Sequence, residues 1–213
     1  DERVQALRIL DGTGRLKTSK DNLLPFNVDG LDNAPSATAP NFFVAGDFRA
    51  NEQVGLTSMH TLFVREHNYW AGVIAKANPA LGEDEIYESA RAIVGGEMQV
   101  ITYREFLPLL LGQEALPPYR GYRAEVNPGI TNVFATASYR FGHTMLSPQL
   151  LRLDRRLNVI DQGNLDLSAA FFTPTRITDE GGIDPLIRGL VVQPAQEIDT
   201  MVIDAARNFL FGA

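Results

Sequence analysis

A stripe of apolar residues at helical spacing constrains this chain more than any other feature. Leu56, Met59, Phe63, Trp70, Val73 and Ile74 recur three and four positions apart, the period that places side chains on one face of an α-helix. The run begins near Glu52 and meets Asn78-Pro79, where the proline ring disfavours helical geometry in the residue before it. One long helix is therefore predicted. A second is expected from Gly82-Glu83-Asp84, where acidic side chains face the positive end of the dipole. It continues through Ile86, Ala90, Ile93, Val94 and Ile101 to a close at Pro108 and Gly112. Gly95-Gly96 inside it costs about 2 kcal/mol of helix propensity relative to alanine. A close neighbour, most simply a crossing helix, is expected there.

A third helix is predicted from Ile130 to about Leu146, and two shorter ones at Asp184 to Val192 and Asp199 to Phe211. Leu151 to Leu167 reads as two short extended pieces joined by a turn at Asp161-Gln162-Gly163-Asn164. Residues 1–41 show weak periodicity, with a turn at Asp11-Gly12-Thr13-Gly14 and a surface loop from Asp29 to Pro40. The fold class is mainly α, with little β structure.

Composition excludes several classes of function. The chain has 26 acidic residues against 19 basic ones, a net charge of −7, which argues against binding a nucleic-acid phosphate backbone. It has no cysteine, which removes disulfides, thiolate catalysis, zinc–thiolate sites and iron–sulfur clusters together. No apolar stretch approaches the roughly 20 residues of a membrane span. The stretch from Arg15 to Ser19 lacks the Gly-Lys pair of a phosphate loop.

Chemistry must then rest on few residues. There are three histidines. His60 and His67 lie seven apart on the first long helix, separated by about 10.5 Å along its axis, too far to share one metal ion. Each is expected to make a structural hydrogen bond in the core, His67 within the polar cluster Arg65-Glu66-His67-Asn68. His143 differs. Gly142 clears space before it, and Arg140, three residues earlier, shares its helical face. An imidazole and a guanidinium presented together suit a haem, the first as iron ligand and the second as partner of a propionate. Asp47-Phe48-Arg49-Ala50-Asn51-Glu52 is the other constellation. It reads either as a helix start capped by Asn51 or Asp47, with Glu52 near the dipole, or as Arg49 and Glu52 pointing together into a cofactor pocket.

The strings Phe43-Val44-Ala45-Gly46-Asp47-Phe48-Arg49-Ala50-Asn51-Glu52, Leu56-Thr57-Ser58-Met59-His60-Thr61-Leu62, Arg65-Glu66-His67-Asn68, Ile101-Thr102-Tyr103-Arg104-Glu105-Phe106-Leu107-Pro108, Tyr139-Arg140-Phe141-Gly142-His143-Thr144 and Gly181-Gly182-Ile183-Asp184-Pro185 occur in one order over nearly the whole chain. In that set and order the chain resembles the animal-type haem peroxidases. The resemblance implies a helical haem peroxidase domain and assigns roles. His143 would be the proximal iron ligand and Arg140 a propionate contact. Arg49 would be the distal arginine that polarises bound peroxide, and Glu52 the carboxylate that forms an ester with a haem methyl. Gln53 stands where some members carry a methionine in sulfonium linkage, so that bond should be absent. The implied activity is reduction of hydrogen peroxide and oxidation of small anions or phenolic donors through an oxyferryl haem, in a secreted protein.

The same resemblance implies what lies elsewhere. The family's distal histidine, a second ester-forming aspartate and the calcium-binding loop belong upstream, and the asparagine that bonds the proximal histidine belongs downstream. Residues 1–213 therefore read as the central segment of a single catalytic domain. Calcium is expected in the complete domain with no ligands in this chain, and other segments or chains of the same peroxidase are its partners. Counted along the helix, His60 and His67 fall about 12 and 22 Å beyond Glu52, poor substitutes for a distal base. Two alternatives stand beside this reading: a fatty-acid dioxygenase or cyclooxygenase-like relative, and a non-catalytic peroxidase-like scaffold.

Overall fold

Helix α2 (Val54–Ala77) is the spine of the structure. The computed structural model describes residues 2–36 and 39–210. Gln53 starts α2, its side-chain oxygen accepting a hydrogen bond from Gly55 N at 2.6 Å, and Asn78 ends it as the sequence predicts. The buried face is not the predicted apolar stripe. Val54, Thr57, Ser58, Thr61, His67 and Ala71 are buried, whereas Met59, Leu62 and Val73 remain exposed. The hydroxyls explain this reversal. Ser58 Oγ donates to Val54 O at 2.7 Å and Thr61 Oγ1 to Thr57 O at 2.8 Å, so these small side chains enter the interior with their polar atoms satisfied.

Helix α3 (Glu83–Val100) packs along α2. Ala71, Ile86 and Ala90 form the contact, with Trp70 and Leu81 around it, and Trp70 Nε1 donates to Glu97 Oε1 at 3.0 Å. Beyond α3 the run continues through a π-helical turn (Ile101–Phe106) into α4 (Leu107–Leu111). The crossing expected at Gly95-Gly96 is not there: among the described residues nothing lies within 4 Å of a side chain built at either glycine.

The predicted third helix is two pieces. α5 (Asn132–Thr136) is capped by Thr131. Ala137 then leaves helical geometry at φ −128°, ψ −70°, and a 3-10 segment runs from Ser138 to Met145. Strands β1 (Gln149–Leu150) and β2 (Leu165–Asp166) pair antiparallel, Leu150 opposite Leu165, on either side of the predicted turn. α6 (Thr175–Thr178) follows, then α7 (Asp184–Val192) with Pro185 in its first turn. The helix expected at Asp199 to Phe211 is only a π-helical turn, Ala205–Leu210. Its predicted start instead holds a local turn in which Asp199 Oδ1 accepts from Met201 N at 2.7 Å; Phe211 lies outside the described residues. Sequence reasoning missed two short helices, α6 and the N-terminal α1 (Glu2–Leu7).

The main core gathers Leu24, Phe43, Ala50, Val54, Leu150, Leu165, Ile177, Ile183 and Leu186. The N-terminal segment is strapped to the helix pair by polar side chains. Asn68 Oδ1 accepts from Leu16 N at 2.8 Å while its Nδ2 donates to Leu16 O at 2.9 Å. His67 Nε2 lies 2.9 Å from Gly14 O, a carbonyl that can only accept. His67 and Asn68 thus form the buried polar network expected of their cluster. A buried cation, Arg152 (2% exposed), holds the β1–β2 connection. It donates to Gly163 O and Gln162 O, both at 2.8 Å, and pairs with Glu180, which Arg176 also contacts at 2.7 Å.

Candidate functional site

The segment 43–53 owes its shape to buried amides rather than to helix capping. Phe43, 1% exposed, stacks on Phe26 with ring centroids 4.9 Å apart. Asn51 clamps the same residue's backbone: its Oδ1 accepts from Phe43 N at 3.0 Å and its Nδ2 donates to Phe43 O at 2.7 Å. Asn51 is therefore not the helix cap. Ala50, fully buried, is tied to the first turn of α2 by Thr57 Oγ1, which donates to its carbonyl at 2.7 Å. Glu52 N donates to Arg49 O at 2.8 Å, closing a turn, and Phe172 N donates to Glu52 O at 3.3 Å. Residues 47–52 are thus folded back over α2 rather than forming its first turn.

This turn brings Arg49 and Glu52 together at the surface, as their spacing predicts. Glu52 is exposed, and its carboxylate makes no hydrogen bond among the described residues. Arg49 is held by Asp47. Its Nε donates to Asp47 Oδ1 at 3.0 Å, its Nη2 to Oδ2 at 2.7 Å, and its backbone N to Oδ1 at 2.8 Å. A bidentate carboxylate–guanidinium pair of this kind fixes direction as well as charge. The Arg49 hydrogen bonds hold the Asp47 carboxyl down at about 2. Asp47 in turn raises the pKa of Arg49, with further contributions from Glu52 and Tyr139.

His60 completes this group, contrary to expectation. Instead of a core hydrogen bond it makes none among the described residues; it is half-buried and feels the charges of both Asp47 and Arg49. Burial lowers its pKa, Asp47 opposing the shift and Arg49 adding to it. Glu52 sits in the turn before α2, and Asp47 and Arg49 lie within electrostatic reach of His60. Asp47 and His60 are the residues that sequence reasoning left out of the site, and the run Asp47-x-Arg49 was the available signal.

Arg140 and His143 lie in the 3-10 segment Ser138–Met145. In that geometry residues three apart eclipse one another, so the shared face predicted for an α-helix is kept. Arg140 is exposed, its Nε donating to Ala135 O at 3.2 Å and its terminal nitrogens unpartnered among the described residues. His143 is half-buried. The chain just beyond it is anchored by the residues that follow α7. Gln196 N donates to Met145 O at 3.0 Å, and Gln193 Nε2 donates to Ser147 Oγ and to Gln149 O, both at 2.7 Å. Tyr139, at the head of this segment, lies close enough to Arg49 to act on its charge.

The donor set suits a haem. It offers the His143 imidazole, the guanidiniums of Arg49 and Arg140 and the Glu52 carboxylate, together with the exposed rings of Phe48, Phe134 and Tyr139. No cluster of three or more His, Cys, Asp or Glu side chains that could hold a metal ion occurs among the described residues.

The fold defines a class, that of helical peroxidases: the structure superposes on Peroxidase A from Dictyostelium discoideum with a TM-score of 0.87 at 33% identity, covering 98% of this chain and 40% of that one. The chain belongs to the animal haem peroxidase family, whose model matches residues 1–213. It is 56% identical over 151 residues to a peroxidasin homolog from Mus musculus, covering 70% of this chain and 10% of the relative. It is also 44% identical over 222 aligned positions to the eosinophil peroxidase of the same species, covering 98% of this chain and 30% of the relative. The chain thus spans less than half the length of each of these relatives.

Proposed function

We propose that this chain is the haem-holding segment of an enzyme that reduces hydrogen peroxide and oxidises small anions or phenolic donors. The observation that carries the reading is the set of groups the two motifs present: Arg49 held by Asp47 beside the unengaged Glu52 carboxylate, and Arg140 with His143 in one 3-10 segment. When bound, haem supplies the iron at which peroxide is cleaved. His143 is the group that would hold that iron, its imidazole nitrogen serving as ligand. Arg140 has the free guanidinium nitrogens to pair with a propionate. Arg49, permanently charged, stabilises negative charge that develops on peroxide oxygen. It cannot take the proton, so the reading keeps the proton-shuttling base in an upstream segment of the same peroxidase, together with calcium. Glu52 has the unengaged carboxylate that an ester to a haem methyl would use, with peroxide as the oxidant. The reading also places the protein outside the cell. No helix among the described residues is long and apolar enough to cross a membrane.

The peroxidase reading is favoured over the fatty-acid dioxygenase and scaffold alternatives by the identities to peroxidases over most of the chain and by the free cationic and carboxylate groups at the site. The test is haem titration followed by peroxide consumption with a phenolic donor, with and without a polypeptide supplying the upstream region. Stoichiometric binding is expected, together with turnover that rises roughly 10²–10⁴-fold on supplementation, the usual worth of general acid–base catalysis. A chain that binds no haem under either condition refutes the reading. Full turnover by the isolated chain refutes its division of labour.

A further inference from the structure

Between α1 and α2 lies a cavity of about 140 Å³. Val4, Leu7, Leu16, Leu24, Val44 and Val64 supply its aliphatic wall, and Lys17 is the one charged residue among the described residues that line it. None of Arg49, Glu52, Arg140 and His143 borders it. A second cavity of about 80 Å³ shares Leu7, Lys17, Pro25 and Val44 with the first and adds the polar residues Asn27 and Asp29. The pair is therefore apolar at one end and polar at the other, with Lys17 where the two adjoin. Asn27 is committed to Leu31, its Nδ2 donating to the carbonyl at 2.9 Å and its Oδ1 accepting from the amide at 2.8 Å. Asp29 is exposed and borders only the second cavity. The half-buried Lys17 side chain makes no hydrogen bond or ion pair among the described residues.

The two sides of the cavity differ in how firmly they are held. Leu24 and Val44 on one side are almost wholly buried, and Val44 N donates to Pro25 O at 2.7 Å. On the other side α1 buries no residue fully. Arg3 pins it across the gap, its Nε donating to Ala45 O at 2.7 Å and its Nη1 to Asp32 O at 2.6 Å. A short element with few buried contacts opens locally at low free energy, which gives a small molecule a way in. A cavity of about 150 Å³ with an aliphatic lining stays free of water and accepts benzene, so the first cavity takes a body of about one ring. An unpartnered ammonium beside it gains a charge-assisted hydrogen bond from an anionic head group. We propose that this cavity is a binding site for a small aryl or alkyl carboxylate, its apolar body lodged between α1 and α2 and its carboxylate on Lys17. The site goes beyond the peroxidase reading and uses none of the residues on which that reading rests.

Phenylacetate and toluene carry the same ring with and without a carboxylate. Titrating each into the 213-residue chain, with valine and leucine methyls followed by ¹H–¹³C NMR, tests the proposal. Phenylacetate is expected to shift the Val4, Leu24, Val44 and Val64 methyls saturably, with a Kd of roughly 0.1–1 mM, the range open to so small a ligand. Lys17→Met keeps the bulk of the stem and removes the charge. It should weaken phenylacetate about fivefold, the worth of a partly exposed ion pair, and leave toluene binding unchanged. Val4→Phe fills the cavity from α1, where the chain has most freedom to adjust, and Leu7→Phe is a second filling variant. Each should abolish the shifts with both probes while keeping wild-type circular dichroism. Methyls unmoved by both probes in the wild type overturn the proposal. So do shifts that persist in a folded filling variant, which place the ligand elsewhere. Phenylacetate held as tightly by Lys17→Met as by the wild type overturns the carboxylate assignment and the proposal with it.

Discussion

Replacing Gly189 with alanine adds one methyl where the fold leaves no room. A Cβ at that position of α7 would lie 1.8 Å from the Leu151 carbonyl oxygen, 2.6 Å from its carbon and 3.1 Å from Leu151 Cβ. Ordinary contact begins at 3.4 Å, and the obstructing atoms are backbone, which cannot rotate away. Two effects compete. Alanine gains about 1 kcal/mol of helix propensity over glycine. Overpacking costs about 1–3 kcal/mol, occasionally more, and a clash with a fixed carbonyl belongs at the top of that range. The net expectation is a loss of about 2 kcal/mol. Gly95→Ala is the matched control, since nothing lies within 4 Å of its Cβ; there the propensity gain should appear almost unopposed, raising stability by up to about 1 kcal/mol. Urea unfolding followed by far-ultraviolet circular dichroism measures both. The opening also carries to the site, because Leu151 N donates to Gln193 Oε1 at 3.2 Å and Gln193 anchors the chain that follows His143. Gly189→Ala should therefore weaken haem binding, and Gly95→Ala should not. A Gly189→Ala protein as stable as the wild type would refute this account of how α7 seats on Leu151.

Arg152→Met should destabilise the chain by about 3–5 kcal/mol, because Glu180 and the carbonyls of Gln162 and Gly163 lose a buried cationic partner; denaturant midpoints measure the loss. Burial lowers the His67 pKa in the fold from 6.5, so the unfolded chain binds the proton more readily, and the His67 contribution, present in full above pH 6.5, is lost as pH falls toward the folded value. Unfolding measured between pH 5 and 8 should show stability rising with pH, with a shallower slope in His67→Gln. After exposure to peroxide, haem should resist acid–acetone extraction from the wild type and extract freely from Glu52→Gln. No sulfonium product should appear by mass spectrometry, since Gln53 has no sulfur.

Helices α2, α3 and α7 were legible because their limits are written locally, in Asn78-Pro79, in the acidic run at Glu83 and in Asp184-Pro185. What the sequence concealed was decided by contacts distant along the chain. The buried face of α2 could not be read from apolar periodicity, since Ser58 and Thr61 bury their hydroxyls against their own helix. The break at Ala137 divides a run whose apolar period continues across it, so periodicity alone reads through. At the site, the pairs Arg49–Glu52 and Arg140–His143 followed from spacing, which a turn and a 3-10 segment preserve as well as an α-helix does. Asp47 and His60 were passed over because residues 47–52 form a turn before α2, with no helical period from which their approach could be read.

The central claim is that His143 is the iron ligand of a haem held by this chain. Low-temperature electron paramagnetic resonance of the ferric, haem-loaded chain with ¹⁵N-labelled histidine tests it most directly, comparing wild type with His143→Ala. The account predicts nitrogen hyperfine coupling from one imidazole in the wild type and its loss in the variant, with His60→Gln and His67→Gln unchanged. The same coupling retained in His143→Ala, or lost on replacing His60 or His67, would contradict it.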